Sequence, residues 1–171
     1  MRNWMMAILP LILVTGCNGA APSAEKQAER GGSASAGPIA TQTYDLTGFT
    51  GVEVAGPDDV TIRQGEKFSI TARGPKDVLD RLEIKLDGPE LSVGRKRDGF
   101  SFSSRDDDDL DIAITMPRLT KVRLTGSGTI DADAVDGDAV EAVVTGSGDL
   151  KVAKLNGKRA DITVSGSGDI E

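Results

Sequence analysis

Histidine is absent from the 171-residue chain, cysteine occurs once, and aromatic residues make up only 4% of it. Without an imidazole base, a serine–histidine catalytic triad is excluded. A single thiol excludes a disulfide within the chain. Scarce aromatics leave few stacking platforms for bases or sugar rings. The formal net charge is −7, and no lysine/arginine stripe with interleaved aromatics is present to release phosphate counterions, which argues against a nucleic-acid partner. Neither a P-loop nor a dinucleotide fingerprint occurs. No apolar run is long enough to span a bilayer. The longest, Trp4 to Val14, has 11 residues.

Glycine, in contrast, is abundant at 21 residues, and much of it is periodic. Thr125-Gly-Ser-Gly128 returns as Thr145-Gly-Ser-Gly148 and as Ser165-Gly-Ser-Gly168, a repeat of 20 residues. Aligned on that period, Val122, Ala142 and Ile162 form one apolar column, Leu124, Val144 and Val164 a second, and Ile130, Leu150 and Ile170 a third. Polar or variable positions lie between them, so each side of Gly-Ser-Gly alternates like a strand. Gly126, Gly128, Gly146, Gly148, Gly166 and Gly168 then mark structural corners, where glycine permits positive φ and close backbone packing. A second bend is expected at Asp136-Gly137-Asp138 and Asn156-Gly157-Lys158. One coil therefore reads as strand, corner, strand and Asx-Gly turn, and parallel stacking of such coils builds a solenoid. A lone coil would lose on the order of 30 kcal/mol of conformational entropy against a few small buried aliphatics, so the coils must stack. Stacking sets Lys121 beside Glu141, Asp131 beside Lys151, and Asp138 beside Lys158, with Glu141 beside Asp161 the like-charged exception.

The N-terminus carries an export address. Arg2, the apolar run and Val14-Thr15-Gly16-Cys17 read as a signal peptide over residues 1–16. The last four residues resemble a bacterial lipobox, which implies lipidation of Cys17 as the first mature residue. Residues 17–40, rich in Ala, Gly, Ser and Pro, read as the lipidated cysteine and a flexible tether, with an r.m.s. reach of roughly 25 to 29 Å. Asn18 after the cysteine differs from the aspartate that marks inner-membrane retention in many proteobacterial lipoproteins, which favours the outer membrane.

Residues 41–171 read as one β domain. Val52 to Val54, Val60 to Ile62, Phe68 to Ile70, Leu82 to Leu86, Leu91 to Val93 and Leu110 to Met116 all alternate apolar with polar. Turns separate them, Gly56-Pro57-Asp58 among these. Lys76 to Arg81 is the one short helical candidate. Phe49-Thr-Gly-Val-Glu-Val54, the Gln64-Gly65 turn, Leu91-Ser-Val93, Ile114-Thr-Met-Pro117 and the returning Gly-Ser-Gly-Asp units resemble the auto-transporter adhesin head GIN domain family over roughly residues 43–171. That resemblance implies an all-β fold, strand-rich at first and continuing into a right-handed parallel β-helix. It carries over no catalytic residue, and an uncapped last coil departs from the family pattern. A further segment beyond Glu171 is therefore expected.

Several acidic groups invite metal readings. Asp106 to Asp109 with Asp111 is the densest charge, but on an extended chain neighbouring side chains point to alternate sides, and a solvated loop with nearby Arg95, Lys96, Arg97 and Arg105 is the expectation. Asp131, Asp133, Asp136 and Asp138 fail EF-hand spacing, because Val135 and Asp136 fall where Asp/Asn and Gly are required. Calcium-binding nonapeptide repeats have a different period. The column Thr129, Asp149 and Asp169 beside the corners is the candidate binding surface, with cross-coil hydrogen bonding to corner amides as its structural alternative. No metal site and no cofactor are expected. The expected function is non-catalytic: an envelope lipoprotein, anchored through Cys17, whose solenoid surface meets a glycan, an envelope component or a protein. A β-helix lyase or hydrolase, and a structural module that self-associates through its last coil, stay open as alternatives.

Overall fold

The computed structural model describes residues 38–96 and 110–171, so the signal peptide, Cys17, most of the tether and Asp106 to Asp109 lie outside the described residues. The described chain is all-β apart from one helical turn. Its strands are β1 (Ile39–Tyr44), β2 (Gly51–Gly56), β3 (Asp59–Gln64), β4 (Ser69–Pro75), β5 (Leu82–Asp87), β6 (Glu90–Arg95), β7 (Asp111–Met116), β8 (Lys121–Gly126), β9 (Thr129–Ala132), β10 (Val135–Gly146), β11 (Asp149–Val152) and β12 (Leu155–Gly166). The helix α1 (Lys76–Leu79) sits where the short helical turn was expected and buries Val78 and Leu79. Strand β1 takes in Ile39 and Ala40, the last two residues of the segment assigned to the tether, because they pair with Pro75 and Gly74.

Two mixed six-stranded sheets result, ordered β1-β4-β7-β3-β9-β11 and β12-β10-β8-β2-β6-β5. The 20-residue period sets the register. Val122 pairs with Ala142 and Ala142 with Ile162, all in parallel strands. In the other sheet Ile130 pairs with Leu150, and Leu150 bridges to Ile170. The period also reaches further back than the repeat is visible in sequence. Val52 pairs with Val122 and Val60 with Ile130, so β2, the Gly56-Pro57-Asp58 corner and β3 form a unit of the same kind 70 residues upstream. On the far side of that unit lie β6 and β7, with Val52 opposite Leu91 and Val60 opposite Ile112. The spatial order thus departs from chain order: after β3 the chain passes through β4, α1 and β5 before β6 and β7 flank β2 and β3.

Inward columns from both sheets join one hydrophobic cluster that includes Val52, Leu91, Ile112, Val122, Leu124, Ile130, Val144 and Leu150. Phe49, itself buried, packs against Phe68 with ring centroids 4.9 Å apart. Antiparallel pairing is confined to one side, β1 on β4 and β4 on β7 in one sheet and β5 on β6 in the other, and it ends the sheets there. At the other side β12 is outermost and exposed along its length, Ile162 at 54% and Val164 at 47%, where their counterparts Ala142 and Val144 are buried.

The Asx-Gly bend needs correcting. Asp136 to Asp138 and Asn156 to Lys158 lie inside twelve-residue strands, and the breaks fall instead at Asp133-Ala134 and Ala153-Lys154. Gly137 pairs with Gly157 in the ladder, and neither has positive φ. What the Asx-Gly pair introduces is a slip of phase: Val135 and Val140 are both buried although five positions apart, an interval that strict alternation forbids. The ladder passes over Asp138 and Lys158, and Asp138 and Ala139 both face solvent.

Candidate functional site

Each corner is built around its first glycine. Gly126 and Gly146 have φ of +139° and +123°, a region that L side chains rarely adopt. The second glycine matters through contact: a Cβ on Gly148 would come within 3.0 Å of the Gly128 carbonyl oxygen and of Leu124. This closeness lets two amides share one acceptor. The Ser147 and Gly148 N–H groups donate to the Gly126 carbonyl at 2.9 and 3.0 Å, and Ser167 and Gly168 repeat the pattern on Gly146 at 2.8 and 3.2 Å. Adjacent amides of this kind can cradle an anion. Here both are used within the stack.

The predicted column Thr129, Asp149 and Asp169 faces outward beside these corners, and the structure extends it through Asp59 to Asp111, which is in register with Asp59. Thr129 is half-buried, while Asp149 and Asp169 are exposed. The Asp169 amide donates to Asp149 Oδ1 at 3.2 Å, and the Thr129 amide donates to Asp59 Oδ1 at 3.2 Å. Each of these carboxylates thus commits one oxygen to the backbone of the next unit. Among the described residues no three potential ligands converge to hold a metal ion. Asp131 and Asp133 turn to Arg63 instead, Asp131 at 4.0 Å and Asp133 in a close hydrogen bond. Hydrogen bonding to Asp133, reinforced by its charge, holds the Arg63 guanidinium above its ordinary pKa. Of the charge columns, Lys121 meets Glu141 at 3.6 Å and Lys158 meets Asp138 at 3.1 Å.

One buried charge escaped sequence reasoning. Asp58, 1% exposed, occupies the corner position that glycine holds in the later units. Its Oδ1 accepts from Arg95 Nη2 at 2.5 Å and from the Leu110 amide at 3.2 Å, and its Oδ2 accepts from Arg95 Nε at 3.3 Å. Arg95 ends β6 and Leu110 precedes β7, so this carboxylate clasps both ends of the excursion between those strands.

The phase slip creates the second feature that sequence reasoning missed. At Gly137 and Gly157 lies an open groove of about 490 Å³, lined as well by Arg118, Thr120, Asp136, Asp138, Asn156 and Lys158. Arg118, Asp138 and Lys158 are 20 residues apart, and so are Asp136 and Asn156. The repeated Asx-Gly pair was the available signal, and it pointed to a turn because that is where such pairs are common.

Comparison with known proteins bears on the whole of this architecture. No curated protein matches the chain. Among solved structures, a "Putative lipid binding protein" from Parabacteroides distasonis is similar at 18% identity and a TM-score of 0.66, over 78% of this chain and 57% of that one. The chain thus spans little more than half of that relative's length. A "putative adhesin" from Parabacteroides merdae is similar at 16% identity and a TM-score of 0.47, over 79% of this chain and 96% of that one. At such identities the first likeness concerns the fold alone. A family model described as "Putative auto-transporter adhesin, head GIN domain" matches residues 48–171, the span that carries every corner and both sheets beyond β1, and the chain belongs to that family.

Proposed function

We propose that this protein is a non-catalytic, exported envelope lipoprotein, held to the outer membrane through lipid on Cys17. Its parallel strand–corner–strand units would act as a β-solenoid that presents a binding surface for adhesion to a glycan or another envelope component. The observation that carries this reading is the 20-residue register itself. It repeats side chains along an outward face at the spacing of parallel strands, roughly 4.8 Å, so one contact can be multiplied along an extended partner. Membership in an adhesin-like family supports the same reading. A hydrolase would need two carboxylates free to act as acid and base or nucleophile. Asp149 and Asp169 suit that poorly, because one Asp149 oxygen already accepts the Asp169 amide.

Two measurements test the proposal. Cys17→Ala should move the protein from the membrane to the soluble fraction, and retention in the membrane would remove the anchor from the reading. Full-length protein on beads should capture envelope polysaccharide or whole cells above a lipoprotein control; equal capture would refute adhesion. A self-associating role has one observation in its favour, the exposure of Leu155, Ile162 and Val164 along outermost β12. Sedimentation at several concentrations tests it, and a strict monomer would exclude it.

A further inference from the structure

We infer that the groove at Gly137 and Gly157 is a saccharide subsite that takes a neutral, extended oligosaccharide lying along the stack; this rests on the adhesion reading above and names its ligand class.

Four observations converge. First, the groove runs past glycine on two successive units. Gly137 and Gly157 pair within the ladder, so no side chain rises from either position to fill it. Second, the walls carry polar groups with no intramolecular partner. Among the described residues, the Arg118, Asp136 and Asn156 side chains make no hydrogen bond or ion pair, whereas Asp138 and Lys158 pair with each other. Donors and acceptors are therefore both on offer, as hydroxyl groups require. Third, the charges cancel. Arg118 and Lys158 balance Asp136 and Asp138. A groove for a polyanion would not place two carboxylates among its cations. Fourth, the walls repeat with the units. Parallel neighbours are roughly 4.8 Å apart, close to the length of one sugar residue, so successive sugars would each meet a polar side chain, a donor on one unit and an acceptor on the next. Without aromatic stacking platforms in the groove, recognition falls to hydrogen bonds, and multiplied weak contacts are the expected binding mode.

Full-length protein in detergent micelles, titrated with the hexaoses of cellulose, chitin and mannan and with hexagalacturonate as a charged comparator, tests the inference. At least one neutral hexaose should bind and slow hydrogen exchange at residues 136–138 and 156–158. Arg118→Ala and Asn156→Ala should each weaken that binding about fivefold to tenfold, and Asp149→Ala at the corner column should not change it. Gly157→Val would fill the groove, but its Cβ would lie 3.1 to 3.2 Å from Arg159, Gly137 and Val140 atoms, so the two wall variants carry the test. Failure of every neutral hexaose to bind, binding of hexagalacturonate alone, or a neutral hexaose held unchanged by both wall variants would each overturn the subsite. In the last two cases adhesion to a glycan would survive elsewhere on the surface. Loss of all capture of envelope material by the wild type would sink the parent reading instead.

Discussion

Removing the Asp58 carboxylate should cost more than any other single polar change in the described domain. In Asp58→Ala the buried Leu110 amide loses its acceptor, a penalty of about 1 to 3 kcal/mol. Arg95 loses both of its hydrogen bonds to the carboxylate. Breaking a fully buried pair costs about 3 to 5 kcal/mol, because the remaining charge stays unpaired in a poor solvent. The Arg95 side chain is 16% exposed and can turn part of its guanidinium to water, so the lower end of that range applies. A total of about 4 to 6 kcal/mol follows. With a urea slope of about 2 kcal/mol/M, the unfolding midpoint should fall by about 2 to 3 M with unchanged slope. Asp58→Asn keeps an acceptor for Leu110 and gives up the charge, so it should fall between the two. A cycle with Arg95→Ala should show coupling of about 1 to 2 kcal/mol. A midpoint shift below about 0.3 M for Asp58→Ala, or strictly additive Asp58 and Arg95 changes, would refute the clasp.

Other consequences are open to the same kind of measurement. Gly146→Ala forces a side chain onto φ +123° and into the Gly126 carbonyl, and should lower stability by about 2 to 4 kcal/mol in thermal or urea unfolding, whereas exposed Ser147→Ala should stay within about 0.5 kcal/mol. Leu124→Ala, inside the stack, should cost about 2 to 5 kcal/mol, but Val164→Ala on outermost β12 less than about 1 kcal/mol; equal losses would mean that β12 is covered in solution. Tyr44 is the only tyrosine, and desolvation raises its phenol above the ordinary value of 10.0. A raised folded pKa means that the folded state holds the proton longer than the unfolded one. Its contribution is therefore complete below pH 10 and is lost as pH climbs from there through the folded pKa. Phenolate absorbance should titrate later in folded protein than in urea, and coincident curves would count against the burial.

The amino-acid pattern by itself determined the strand class, the 20-residue period, the inward columns and the corner glycines, because each depends on local geometry: alternation of side chains along a strand and the steric cost of a Cβ at a tight turn. Val122, Ala142 and Ile162 could be placed in one column from spacing alone, and the parallel register keeps them there. The corner column Thr129, Asp149 and Asp169 was also placed outward from alternation, yet which oxygens its carboxylates commit was not. Local pattern misplaced the Asx-Gly bend, since a dipeptide common in turns is also tolerated where two paired strands slip phase. Only the tertiary structure decided that β2 and β3 stack against β8 and β9 at a separation of 70 residues, because that pairing depends on where the intervening strands turn back. The same holds for Asp58, whose partners lie 37 and 52 residues away. It holds as well for the groove, whose walls come from separate units and exist only once those units lie side by side.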